Sequence, residues 1–183
     1  MKKMLEKVLK SELVFPGRFL KIWRDDVELP NGFISFREYL KHPGAAMVIP
    51  ETASGRYLMI YQYRHAVGQI FLEFPAGKRD KGENSTQTAF RELQEEVGFK
   101  PGELKFLTHI HPVIGYSNER IDLFLAKNLI PTPMSRDPDE VLEIIELSFD
   151  EILQKVWNHE ITDVKTQIGV FWLQKYLKGE LKS

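Results

Sequence analysis

The chain contains no cysteine. That excludes a disulfide framework, thiolate metal sites and a cysteine nucleophile, and it makes a reducing cytoplasm the expected compartment. Neither sign of charge is in excess: 25 Lys and Arg face 26 Asp and Glu, for a net charge of −1. A broad basic surface for nucleic acid is thereby excluded, and any anion site must be built locally from a few residues. Long hydrophobic runs are missing as well. The longest apolar stretch, residues 44–49, is far too short to span a bilayer. Over residues 1–13 charges interrupt every apolar pair, so no signal-peptide core is expected there. Neither membrane nor nucleic acid is an expected partner.

What is present suits one compact domain with a small appended lobe: 183 residues, 43% hydrophobic and 28% charged. Residues 1–10 read as a short helix with Leu5, Val8 and Leu9 on one face. From 13 to 39 the texture changes to short alternating runs around the turn Leu29-Pro30-Asn31-Gly32, as in a β-meander. Its aromatics, Phe15, Phe19, Trp23, Phe33, Phe36 and Tyr39, are expected in a core or an interface between copies, with Trp23 or Phe36 also able to stack on a base. Lys41-His42-Pro43-Gly44 is the first boundary, dividing an N-terminal β lobe (1–42) from a main domain (43–183).

In the main domain, strands are expected at 45–49, 56–63, 69–74, 104–110, 121–126 and 141–147. A helix is expected at 85–97, with Asn84 and Gln87 spaced as a capping box and Gly98 as its left-handed stop. Two more helices follow at 149–158 and 163–178, the second with Val164, Ile168, Phe171, Trp172 and Leu173 at helical spacing. His109 and His111 alternate along a strand, but two imidazoles without a third ligand read as packing residues.

The helix at 85–97 carries the chemistry. Successive residues step by about 100°, so Glu92, Glu95 and Glu96 fall within about a third of its circumference. Ala89, Phe90, Leu93 and Val97 form a neighbouring apolar face. Three carboxylates one turn apart repel each other, and the negative end of the helix dipole adds to the repulsion. A lone E-x-x-E-E is ordinarily a solvated acidic face. Here Arg91 and Arg64 supply part of the compensating charge, and a hard divalent cation, Mg²⁺ or Mn²⁺, would supply more. Mg²⁺ takes substrate phosphates as remaining ligands, which points to phosphoryl chemistry.

Gly77, Glu83, Arg91, Glu92, Leu93, Glu95, Glu96, Gly98 and Phe99 fill every fixed position of G-x5-E-x7-R-E-U-x-E-E-x-G-U, where U is aliphatic or bulky apolar. The chain thereby resembles the Nudix hydrolases. At average residue frequencies, a chance match in a chain this long is below roughly one in ten million. Gln62-Tyr63-Arg64, Phe74-Pro75-Ala76-Gly77, Gly115-Tyr116-Ser117-Asn118-Glu119 and the front lobe resemble the ADP-ribose pyrophosphatase branch.

The resemblance implies an α/β (α+β) fold: an α/β/α sandwich with a mixed sheet and a small N-terminal β lobe that forms a homodimer. It implies Mg²⁺-dependent cleavage of ADP-ribose or a related nucleoside-diphosphate sugar at the pyrophosphate. The metal ligands would be Glu92, Glu95, Glu96 and the carbonyl of Ala76. Glu83 and Arg91 would pair, and Gly77 and Gly98 would serve backbone turns. The catalytic base would lie in the loop 135–140, with Glu140 first and Asp139 and Asp137 behind it. Arg64 would reach the diphosphate, Glu73 the metal-bound water or ribose, and Ser117 and Glu119 the terminal sugar. Other phosphoanhydrides (GDP-mannose, dinucleoside polyphosphates, nucleoside triphosphates) and a non-catalytic ligand-binding module remain alternatives.

Overall fold

The structure, a computed structural model, describes residues 4–135 and 140–181. Two compact units emerge. One comprises the chain up to Pro43 together with His111–Arg120, and the other comprises Gly44–Ile110 and the chain from Ile121 onward.

The first unit is an antiparallel sheet in the order β1 (Lys7–Pro16), β2 (Lys21–Glu28), β3 (Ile34–Leu40). Residues 7–10 are strand, not the helix that Leu5, Val8 and Leu9 suggested. A helix of that length has little stability of its own, whereas β2 offers a full ladder, from Lys7 opposite Glu28 to Pro16 opposite Lys21. Every residue of β1 is exposed. The front-lobe aromatics do not make a core within this chain: Phe15, Phe19, Phe33 and Phe36 are all exposed. Trp23 is covered by Lys41, whose Nζ lies 3.4 Å from the ring centroid. The segment 111–120 joins this unit through Leu40 N–H to Tyr116 O, 2.8 Å, and His42 N–H to Asn118 Oδ1, 2.7 Å.

The second unit holds two sheets and three helices. One sheet runs β7 (Ala76–Lys78), β4 (Ala45–Pro50), β9 (Ile121–Pro131), β8 (Phe99–Ile110); the other runs β10 (Leu142–Leu147), β5 (Tyr57–Arg64), β6 (Gln69–Glu73). The β4–β9 pair is parallel and its neighbours antiparallel, so the sheet is mixed. Strand β4 is buried along its whole length, because its two faces feed two cores. Ala46 and Val48 pack with Ala89, Leu93 and Val97 of α1 (Ser85–Val97). Ala45, Met47 and Ile49 pack with Ile152 and Val156 of α2 (Phe149–Trp157) and with Val170 and Leu173 of α3 (Val164–Leu177). The result is an α/β/α sandwich.

Candidate active site

Helix α1 is fixed at both ends. Asn84 Oδ1 accepts the Gln87 N–H and Gln87 Oε1 accepts the Asn84 N–H, both at 2.9 Å, which completes a capping box. At the other end Gly98 takes φ +76°, and its N–H donates to Gln94 O at 3.0 Å. The buried residues of α1 are Thr88, Ala89, Glu92, Leu93, Glu96 and Val97. Phe90, expected on the apolar stripe, is 39% exposed, while two of the three glutamates face inward.

Glu92 and Glu96 are 5% and 1% exposed. Both meet the first two residues of β7. Glu96 Oε2 accepts the Ala76 N–H at 2.9 Å. Gly77 leaves room for Glu92: a Cβ there would stand 1.9 Å from Glu92 Oε1, so any other residue would displace that carboxylate. Burial pushes the Glu92 carboxyl up to about 7; Glu95 and Glu140 push the same way, against the pull of Arg91. Burial raises Glu96 to about 8, with further repulsion from Glu92 and Glu140 and partial relief from the Ala76 N–H and Arg64.

Arg91 runs along the edge of this cluster. Its Nε and Nη2 donate to Glu83 Oε1 and Oε2 at 2.9 and 3.1 Å, and Nη2 also reaches Lys78 O at 2.9 Å. Nη1 donates to Glu92 Oε1 at 2.7 Å and Glu95 Oε2 at 2.8 Å. Arg91 holds the Glu83 carboxyl down to about 2 against its burial, helped by the Asp80 N–H and the Thr88 hydroxyl. The loop after β7 is thus tied to α1 through one guanidinium.

Beside the cluster, Arg64 at the end of β5 forms a two-point bridge to Glu73 at the end of β6, at 2.8 and 2.7 Å. Lys165 in the first turn of α3 also donates to Glu73. Burial pushes Glu73 up, but the two cations outweigh it and leave the carboxyl below its ordinary value. Lys165 was not singled out from the sequence. Its only signal there is its position four and eight residues before Gly169 and Leu173, on the buried side of α3.

The structure therefore brings together Arg64, Glu73, Ala76, Gly77, Glu83, Arg91, Glu92, Glu95 and Glu96, with Glu140 close enough to repel Glu92 and Glu96. Asp137 and Asp139 lie outside the described residues. Ser117 and Glu119 belong to the other unit, where Ser117 Oγ accepts the Glu119 N–H at 3.1 Å and His42 Nδ1 lies 3.7 Å from Glu119 Oε1.

Among the described residues no three or more His, Asp or Glu side chains already converge as a metal cage; Arg91 stands between Glu92 and Glu95 instead. The donor chemistry nevertheless fits a hard dication. Two buried carboxylates stand one turn apart, their titration raised chiefly by burial, with the backbone of Ala76 in β7 beside them.

Comparison with known proteins identifies the family of the chain. The NUDIX domain family matches residues 40–166, and the nucleoside diphosphate sugar hydrolase N-terminal domain matches residues 6–40. The chain belongs to the Nudix family. It is 42% identical over 171 residues to the methanol dehydrogenase activator of Bacillus methanolicus, covering 92% of each chain. It is 38% identical over 176 residues to the ADP-ribose pyrophosphatase of Bacillus subtilis (strain 168), covering 95% of each. A crystal structure of an ADP compounds hydrolase superposes with a TM-score of 0.86 at 24% identity, over 96% of this chain and 95% of that one, and so shares its fold.

Proposed function

We propose that this chain hydrolyses the pyrophosphate bond of ADP-ribose or a related nucleoside-diphosphate sugar, giving AMP (or the matching nucleoside monophosphate) and a sugar phosphate, with Mg²⁺ as cofactor and Mn²⁺ as an alternative. The observation that carries the reading is the buried pair Glu92 and Glu96, one turn apart on α1 and set against Ala76 and Gly77 of β7. The likeness to a relative named ADP-ribose pyrophosphatase over 95% of both chains supports the substrate.

A divalent cation held there would neutralise the diphosphate oxygens, polarise phosphorus and acidify the attacking water. Glu92, Glu96 and Glu95, with the Ala76 carbonyl, would hold it. Holding the cation would require Glu92 and Glu96 to be ionised, which would make binding depend on pH. Arg91 keeps Glu92 and Glu95 on the same side of α1 while Glu83 anchors it. Arg64 binds the diphosphate through the part of its guanidinium that Glu73 does not use. Glu140 accepts the proton of the water as its oxygen bonds to phosphorus; the bridging P–O bond breaks and the departing phosphate takes up the charge. For Ser117 and Glu119 as sugar contacts, the support is the resemblance of their segment alone.

A panel of ADP-ribose, GDP-mannose, dinucleoside polyphosphates and nucleoside triphosphates, run with Mg²⁺ added or chelated, tests this. ADP-ribose is expected to give AMP and ribose phosphate at least tenfold faster than the triphosphates, and chelation is expected to remove essentially all turnover. Hydrolysis of triphosphates without action on ADP-ribose would reverse the substrate assignment. Tight ADP-ribose binding with no turnover in excess Mg²⁺ would mark a non-catalytic module.

We also propose a homodimer built on the N-terminal sheet. Its β1 is exposed throughout, and Leu9, Leu13, Phe15, Ile34 and Phe36 leave apolar area exposed on its strands. Sedimentation equilibrium is expected to give twice the chain mass, and Phe15→Glu to shift it toward one chain. A monomeric parent protein would refute the assembly.

A further inference from the structure

Glu73 is 2% exposed, and two cations share its carboxylate. Arg64 Nε and Nη2 occupy Oε1 and Oε2, while Lys165 Nζ donates to Oε2 from α3. Lys165 is held in turn by Asp163 Oδ2 at 3.0 Å. That carboxylate caps α3, accepting the Thr166 N–H at 3.0 Å and the Thr166 hydroxyl at 2.6 Å. Thr166 Oγ1 also accepts the Phe74 N–H at 3.2 Å. One helix turn therefore grips the side chain of Glu73 and the backbone of the residue after it. Two residues further on, the Ala76 N–H is bonded to Glu96.

A buried ion network is weak evidence for stability, since well-packed apolar residues often serve as well. What this network does determine is orientation. The Nε–Nη2 edge of Arg64 is committed to Glu73, so the plane of the guanidinium follows the plane of the carboxylate. Nη1 makes no hydrogen bond among the described residues, the side chain is 41% exposed, and Arg64 lies within electrostatic reach of Glu96. Held by Arg64 alone, Glu73 could follow the half-exposed guanidinium as it swings. Held also by Lys165, it cannot.

We propose that Lys165 is a positioning residue for anion recognition. By fixing Glu73 it orients the Arg64 guanidinium, so that Nη1 is presented to the diphosphate of a nucleoside-diphosphate ligand. This rests on the function proposed above and names a part of the site that the motif does not contain. The pre-set donor removes an ordering penalty from binding, so its loss is read mainly in affinity.

The test compares the parent protein with Lys165→Met, Lys165→Arg, Arg64→Ala and the Arg64→Ala/Lys165→Met double variant. ADP binding is measured by titration calorimetry and ADP-ribose hydrolysis by steady-state kinetics, with melting temperatures recorded for each. Lys165→Met is expected to weaken ADP binding and raise KM about tenfold, with kcat changed less than about threefold. Lys165→Arg is expected to restore most of the affinity. In the Arg64→Ala background, Lys165→Met is expected to add little, because the lysine acts through the arginine. Should Lys165→Met fail to fold, Lys165→Gln gives the same comparison. Unchanged ADP affinity in the lysine variants, or fully additive losses in the double variant, would overturn the proposal and leave Lys165 a structural residue. A parent protein that does not bind ADP overturns it too. ADP binding with the expected pattern but no phosphoanhydride hydrolysis would sink the hydrolase reading alone.

Discussion

Glu96→Gln is expected to cut turnover about a thousandfold or more while leaving the chain folded. The amide keeps the shape of the side chain and an oxygen to accept the Ala76 N–H, so α1 and β7 stay joined. What disappears is one of the two buried carboxyl groups that would hold the cation. The same substitution is expected to raise the melting temperature of the metal-free protein. Glu96 titrates near 8 in the folded chain and near its ordinary 4.5 in the unfolded one. Below about 4.5 both states are protonated. Between there and about 8 the unfolded chain has released a proton that the folded chain retains, so metal-free stability falls as pH rises through that window and levels off above it. Glu92, raised to about 7, acts in the same direction. Calorimetric melting in chelator from pH 5 to 9 should show this decline in the parent protein and a shallower one in Glu96→Gln, and Mg²⁺ should restore parent stability at high pH. A parent protein whose metal-free melting temperature rises across that range would contradict the assignment of strained carboxylates.

The second large effect is on stability. Glu73→Gln leaves the buried Lys165 facing an amide in place of a carboxylate, with Asp163 as its remaining acidic partner. Removing one partner of a buried ion pair costs about 3 kcal/mol or more. For a chain of this size that corresponds to a fall of roughly 6–12 °C in melting temperature. Arg64, 41% exposed, can turn to water and adds little to the loss. The Glu73→Gln/Lys165→Met double variant should recover most of the stability, because no charge is then left buried alone. If Glu73→Gln melts with the parent protein, the network is not coupled to the fold in the way its geometry implies.

The reach of the sequence differs from element to element. Helix α1 has the boundaries that its periodicity, capping box and Gly98 predict, because every signal there is local and all agree. Strand β8 begins at Phe99 rather than near Leu104. The ladder to β9 starts with Phe99 opposite Pro131 and runs through Pro101 opposite Leu129. Residues 7–10 differ from the expected helix for the same reason: a distant partner strand decides their conformation, and local spacing does not. At the site, the glutamates of α1 were legible because they share one turn of one helix. Which of them are buried was not, since that depends on β7 lying against them. Helix α3 shows the limit most clearly. Its buried face is Lys165, Thr166, Gly169, Val170 and Leu173, whereas Val164, counted as apolar, is exposed. A lysine in a first helical turn reads as solvated, and nothing local announces an acceptor placed far earlier in the chain.

The chain passes between its two units at three places, because His111–Arg120 leaves the main unit between β8 and β9 to join the N-terminal strands. The front piece is therefore not a detachable prefix. A shortened protein starting at Gly44 would retain Tyr116 and Asn118 but lose Leu40 and His42, which bond to them. Recombining this front piece with that of a relative would require both segments to be exchanged together, as a lock is changed with its key.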